Sequence, residues 1–347
     1  MTTNQLDFLI VGQGLAGTIL AHTLLTRGYK VLVIDNNHHG SSSKVAAGTI
    51  NPITGPRLKK NNDFELYYSK VQSYYPKLEY HIKEKVFNNI EQIKLIKTEK
   101  QFAYFQERCE DLSYQKFIKL AEPICDLFKT QPFPQMHISN SAVIHTNALL
   151  SASQKWLNSI DSYLADNIDY QQLEFSTDTV RYKNHQAKEI IFCEGYQATQ
   201  NPWLKHLPFK LAKGEILTVD ATEYKLNDTM FNWDKWLVPF GNTAKLGSNF
   251  EWEDLTLTTS NKIKTKLLNS LHEHTHLQAK IISHEVGIRP SSKYRIPFIG
   301  SLPKQNNAYC FNGFGSKGCL LIPYYAELLV DHLTMQSPLP QELTKWL

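Results

Sequence analysis

The chain of 347 residues is short of several things, and each shortage excludes a class of protein. It has no run of about 18 apolar residues, so no helix able to span a bilayer is expected. The apolar stretch 8–11 has no basic residues before it and no small-residue cleavage site after it, so it reads as a buried strand rather than a signal peptide. Cysteine is scarce and scattered: Cys109, Cys125, Cys193, Cys310 and Cys319 are odd in number and form no CxxC pair. That argues against a disulfide framework and for reduced thiols in a cytoplasmic protein. The 13 histidines include no HExxH or comparable spacing, so no metal site is expected. Neither sign of charge dominates: 37 Lys and Arg stand against 33 Asp and Glu. A net charge of +4 is far from the basic footprint of a dedicated nucleic-acid binder. There is no internal repeat and no low-complexity linker. What remains is an ordinary globular composition, 42% hydrophobic and 20% charged, on a chain long enough for two domains.

The most informative segment is 7–35. An apolar run of strand length (DFLIV, 7–11) leads at once into Gly12-Gln13-Gly14-Leu15-Ala16-Gly17. Apolar residues then recur at helical spacing to Arg27-Gly28, and a second apolar run (KVLVI, 30–34) ends in Asp35. This is a strand–loop–helix–strand unit built for a dinucleotide. Gly12 permits the tight turn, Gly14 lets the backbone approach a pyrophosphate, and Gly17 lets the helix pack on the strand. The N–H groups of the helix start, Leu15 and Ala16 among them, face the phosphates with the positive end of the helix dipole. Asp35 stands where a carboxylate accepts ribose hydroxyls, which favours FAD or NAD over a phosphorylated ribose.

The following stretch, 40–55 (GSSSKVAAGTINPITG), is small and hydroxylated, as suits a backbone lying against a large flat ring. Here the sequence resembles the D-amino-acid oxidase/glycine oxidase family of FAD-dependent oxidoreductases, in which a segment like Ser43-Lys44-Val45-Ala46-Ala47-Gly48 passes along the flavin. The resemblance recurs in 142–145 and the following 149–157, in 188–195 (KEIIFCEG) ending at Gly195, in 213–217 (KGEIL), and in 236–239 (WLVP) followed by 246–249 (LGSN). It is most specific in 286–290 (VGIRP), 297–300 (PFIG) and 309–323 (YCFNGFGSKGCLLIP).

The resemblance implies an α/β fold: a Rossmann-like FAD-binding domain of the glutathione reductase type, with an α+β substrate domain built on an antiparallel sheet. The FAD domain is expected to be discontinuous, 1–80, 140–204 and 285–347, with 81–139 and 205–284 forming the substrate domain. Residues 64–120 are expected to be mostly helical. In the last motif Gly313, Gly315, Ser316, Lys317 and Gly318 form a loop whose helix start would face the flavin N1 and C2 carbonyl. His22 and Cys319 are expected to pack rather than to bind flavin covalently, so the FAD is expected to be non-covalent; His38 and His39 are read as shaping a loop.

By motif position, Arg289 is the residue implied to hold a substrate carboxylate with its planar fork. Trp236 occupies a position where glycine oxidase-like members present an aromatic hydroxyl; an indole donates but cannot accept. Trp233 and Trp252 flank the same segment and are read as packing in a sheet. The implied activity is oxidation of the C–N bond of an amino acid or N-substituted amine by hydride transfer to flavin N5. The family also contains the oxidase half of a bifunctional enzyme that modifies the wobble uridine of tRNA. Residues 50–55 (INPITG) are similar to its sequence, and Arg57, Lys59 and Lys60 are placed to meet phosphate, so a tRNA partner stays open. So does a non-catalytic flavin-binding role in which Trp236 blocks the pocket.

Overall fold

The computed structural model describes residues 5–37, 40–121, 126–224, 226 and 228–347. His38, His39 and Cys125 therefore lie outside the described residues. Two sheets organise the chain. The first is built on five parallel strands in the order Gln305–Asn312, His185–Phe192, Leu6–Val11, Val31–Asp35, Tyr163–Ala165. Antiparallel strands complete its edges: Phe298–Leu302 on the last strand, and Val180–Tyr182 with Leu173–Phe175 beside the first half of His185–Phe192. The central strands read as unbroken apolar runs because both their faces are covered, and Leu9, Ile10, Val33, Ile190 and Ile191 are fully buried.

Helix Leu15–Thr26 packs against Gly318–Met335 on one face of this sheet, joined by Phe64–Ile82 and Thr146–Ser159. The helix from Leu15 stops where the sequence signals it, with Arg27 as C-cap and Gly28 in the left-handed region at φ 86°. Gly17 sits where this helix crosses the loop. A Cβ there would fall 1.8 Å from the Gly12 carbonyl oxygen, so nothing larger fits without moving backbone.

The second sheet is largely antiparallel. Its order is Ile281–Arg289, Ala212–Asp220, Thr243–Gly247, Trp236–Phe240, Thr229–Asn232, Phe87–Leu95, Gln135–Ile144, Thr49–Ile50, with one parallel pairing between Thr229–Asn232 and Phe87–Leu95. Segment 64–120 is less helical than its composition suggests. Helices Phe64–Ile82 and Glu99–Glu110 flank the strand Phe87–Leu95, and Ile118–Leu120 is a short strand. Phe87, Ile90 and Leu95 are buried, and the polar Gln92 and Lys94 are buried with them. Their polarity hides the strand from a pattern reading. The Lys94 ammonium donates to the Asn232 side chain and the Trp233 carbonyl across the sheet. The expected domain limits at 140 and 285 fall inside strands of this sheet, Gln135–Ile144 and Ile281–Arg289. Among the described residues, no helix is long and apolar enough to cross a membrane.

Candidate active site

A cleft, open at its mouth, runs along the carboxyl ends of all five parallel strands and meets the second sheet. This is the crevice where open α/β sheets bind ligands. Val11–Gly12, Asp35, Asp166–Ile168, Cys193–Gly195 and Asn312 each close or follow one of those strands.

The dinucleotide loop is held by backbone requirements. Gly12 takes φ 101°, and a Cβ on it would lie 2.6 Å from the Cys193 carbonyl oxygen, so the turn admits only glycine. Gly14 caps the helix and opens onto the cleft, while the Leu15 N–H donates to Ser43 Oγ at 3.1 Å. The Asp35 carboxylate accepts from the Gln13 N–H at 2.7 Å and from the Asn37 N–H at 2.6 Å. It thereby ties the end of the second strand to the glycine loop, and each oxygen keeps a further lone pair for a ribose hydroxyl.

The serine–alanine stretch forms the next wall. It is pinned from three sides. The Ile144 N–H donates to the Gly48 carbonyl at 2.9 Å, Thr146 Oγ1 donates to the Ala46 carbonyl at 3.2 Å, and the Lys245 ammonium donates to the carbonyls of Val45 and Ala46 at 2.9 and 3.0 Å. Burial holds the Lys245 pKa below the usual lysine range. A helix start with free donors, glycines where a Cβ would collide and a carboxylate at the strand end together fit a dinucleotide such as FAD.

Of the sequence-predicted residues, Gly12, Gly14, Leu15, Ala16, Asp35, Ser43, Val45, Ala46, Ala47, Gly48, Gly195, Gly315, Ser316, Gly318, Trp236 and Arg289 line this cleft. Gly17, Gly313 and Lys317 do not. Gly17 is the close-packing point under the loop, and Gly313, at φ 88°, turns the chain against Phe298. The Lys317 ammonium turns away to donate to Asn61 Oδ1 at 2.7 Å. Cys319 does face the cleft, while His22 is buried between Tyr74 and His81.

Several lining residues carried no sequence signal. Glu194 is fully enclosed, accepting from Tyr170 Oη at 2.5 Å and from Asn201 Nδ2 at 2.7 Å; burial pushes its carboxyl up to about 7. It sits one residue before Gly195, inside a stretch where the resemblance singled out the glycine and not the acid. Asp166–Ile168 follow a strand of only three residues, too short for periodicity to show.

The second sheet supplies the opposite wall, where large side chains lie over glycines. The Arg289 guanidinium crosses Gly214 so closely that a Cβ there would fall 2.2 to 2.5 Å from Nη2, Nη1 and Cζ. Trp236 lies over Gly247, its cross-strand partner, with 2.8 Å to the position of a Cβ. Glycines inside strands mark such close approaches, and this was the signal available for both. Arg289 Nη2 donates to Ser248 Oγ at 2.8 Å and Nη1 to the Asn249 carbonyl at 3.3 Å, and its Cζ stands 4.4 Å from the Phe250 ring centroid. Burial alone lowers its pKa to about 10, with no carboxylate contributing. The ion pair that would make Arg289 purely structural is absent among the described residues.

Comparison with known proteins places this geometry. The chain is similar to the tRNA 5-methylaminomethyl-2-thiouridine biosynthesis bifunctional protein MnmC of Legionella pneumophila (strain Corby), 22% identical over 99% of this chain and 56% of the relative, so it spans little more than half the length of that protein. In structure it is similar to glycine oxidase from Bacillus cereus ATCC 14579, with a TM-score of 0.80, 16% identity and coverage of 98% and 97% of the two chains. It is also similar to iminodiacetate oxidase from Chelativorans sp. BNC1, with a TM-score of 0.78, 19% identity and 98% coverage of each chain. A family model described as FAD dependent oxidoreductase matches residues 7–332. The glycine loop, the cleft and that match over nearly the whole chain lead to one statement: this protein belongs to the DAO family of FAD-dependent oxidoreductases.

Proposed function

We propose that the protein oxidises the C–N bond of an N-substituted glycine or a related α-amino acid. The observation that carries this reading is Arg289: a guanidinium without a carboxylate partner, facing the cleft, is an anion site waiting for its anion. Glycine and iminodiacetate, named in two of the structural relatives, both carry a carboxylate next to the C–N bond. When bound, non-covalent FAD supplies the two-electron acceptor, its N5 taking a hydride. The carboxylate is held by the Arg289 fork, and Ser248 and Asn249 fix the plane of that fork by taking its other N–H groups. Trp236 closes one side of the pocket and excludes water from the reacting carbon. Loss of a hydride from carbon and of a proton from nitrogen leaves an imine, and water then splits it into an oxo acid and an amine.

The first sheet with its helices is read as the FAD domain and the second as the substrate domain. The thiols at Cys109, Cys193, Cys310 and Cys319 are free, in keeping with a cytoplasmic setting. The test is anaerobic bleaching of the bound flavin by glycine, N-methylglycine, iminodiacetate and D-amino acids. Bleaching by at least one carboxylate-bearing amine is expected, and none by any of them would sink the reading.

A second reading is favoured by the MnmC similarity alone: oxidation of an aminomethyl side chain on a tRNA uridine. Its test is binding of unmodified tRNA as a function of salt, for which a steep salt dependence is required. No binding at low salt removes it.

A further inference from the structure

The triplet Lys213-Gly214-Glu215 lies in the strand Ala212–Asp220, where successive side chains point to opposite faces. Gly214 faces the cleft and lies under the Arg289 guanidinium. Lys213 and Glu215 point the other way, each 1% exposed, and neither lines the cleft. What they hold is the segment 248–260, which follows the strand Thr243–Gly247. The Glu215 N–H donates to Asn249 Oδ1 at 2.7 Å and the Glu215 carboxylate accepts from the Ser260 N–H at 2.8 Å, so one residue fixes both ends of the segment. His284 Nε2, from the adjacent strand, stands 2.8 Å from the same carboxylate oxygen. Lys213 fixes the middle. Its ammonium donates to Asp254 Oδ2 at 2.8 Å and to Thr256 Oγ1 at 3.3 Å, and its backbone exchanges two hydrogen bonds with Glu251. Elsewhere the segment is open to water: Trp252, 53% exposed, belongs to no strand and packs in no sheet core, contrary to its sequence reading.

The start of that segment is what meets Arg289. Ser248 Oγ, the Asn249 carbonyl and the Phe250 ring contact the guanidinium, and none of the three residues belongs to a strand. We propose that Lys213 and Glu215 are positioning residues for Arg289, fixing its fork through the segment 248–260 so that the cleft selects a carboxylate. This rests on the amine-oxidation reading above, in which Arg289 receives the carboxylate of the substrate. An arginine side chain carries about 2 kcal/mol of rotamer entropy. Arg289 extends over a glycine, which has no side chain to stop it, so its fork is only as well placed as the segment beyond. The burial of Lys213 points the same way. An apolar side chain would fill its place without the cost of desolvating an ammonium, so the pair with Asp254 contributes placement rather than stability. Asp254 is more than half exposed, yet its hydrogen bond from Lys213 holds its carboxyl below the usual carboxylate range.

The experiment uses the FAD-loaded protein and two unreactive probes, propanoate and propanamide, which match in shape and differ in charge. Each is titrated through the flavin spectrum. Lys213→Met is expected to weaken propanoate roughly ten-fold and propanamide by less than about two-fold, with flavin still bound. Asp254→Asn alters the exposed partner, should act in the same direction, and carries the test if Lys213→Met does not fold. The double variant should be no worse than the worse single one, because the latch is broken only once. Glu215→Gln, which keeps an acceptor for the Ser260 N–H, should retain most of the preference that Glu215→Leu loses. Equal losses for the two probes, or affinities that none of these variants moves, would overturn the proposal and leave amine oxidation standing. No preference for propanoate in the unaltered protein overturns it together with the carboxylate role of Arg289. A loss confined to propanoate, in a protein that no amine bleaches, keeps the positioning role and removes the oxidation reading.

Discussion

The two walls of the cleft are built on opposite principles. The dinucleotide wall is made of backbone: Gly12 and Gly48 with φ of 101° and 68°, a helix start, and carbonyls pinned by Thr146 and Lys245. The wall proposed to face the substrate is made of side chains: Arg289 and Trp236 are laid over glycines of a second sheet, with Phe250 beside them. A backbone wall fixes one ligand shape and tolerates almost no change. A side-chain wall keeps its scaffold while its chemistry is exchanged, and this is how one fold comes to serve many amines.

If that contrast is right, the largest effect belongs to the backbone wall. Gly17→Val would put side-chain carbon into the Gly12 carbonyl, which already lies 1.8 Å from an ideal Cβ. Complete loss of flavin absorbance near 450 nm in the purified protein is expected, with loss of most of the folding stability. Retention of stoichiometric flavin would mean the loop is not the rigid element described.

Arg289→Ala comes next, and it should leave flavin bound while lowering kcat/KM for carboxylate-bearing amines by roughly 10³-fold, the cost of a lost charge-assisted pair in a partly buried site. Arg289→Lys should recover only part of this, because a point charge replaces a fork. A drop in bound flavin of the same size would erase the distinction between the walls.

A third effect lies in pH. The carboxyl of Glu194 is raised from 4.5 to about 7 in the folded state, so between these values the folded protein holds a proton that the unfolded chain has released. Stability from this group is therefore greatest below about pH 4.5 and falls as pH rises through 7, by about 3 kcal/mol in total. Glu189, also raised to about 7, adds its own slope in the same window. Glu194→Gln should remove its share, seen as a smaller difference between urea unfolding at pH 5 and pH 8. An unchanged difference would show that Glu194 stays charged in the cleft.

The smallest effect is expected for Lys317→Met. The lysine is bonded to Asn61 and turned from the cleft, so a stability loss of about 1 kcal/mol and unaltered flavin affinity are expected. A clear fall in affinity by titration with FAD would restore its place beside the flavin.

The same contrast explains what the sequence could disclose. Residues 12–17 and Asp35 were legible because turn, helix start and strand end lie within one short unit whose chemistry demands glycine. The roles of Gly214 and Gly247 were not, since each is defined by a side chain on a neighbouring strand, Arg289 in one case and Trp236 in the other. Asp166 entered the cleft by topology rather than by motif, and so did the support that Lys245 gives the Val45 and Ala46 carbonyls from behind it. Strand Phe87–Leu95 was missed because its buried Gln92 and Lys94 are satisfied by partners that only the folded sheet brings near; Lys94 donates to Asn232. Local grammar predicts local geometry, and a cross-strand partner is not local.

The central strand of the first sheet has a further consequence. Ile10 pairs with Val33 on one side but with Ile191 on the other, and Ile191 pairs in turn with Tyr309. During synthesis the glycine loop must wait for a strand made some 180 residues later, on the order of ten seconds or more at ribosomal rates. For that interval the Leu6–Val11 strand offers an open, apolar edge to any other chain. High contact order here makes early folding slow and the exposure of that edge long.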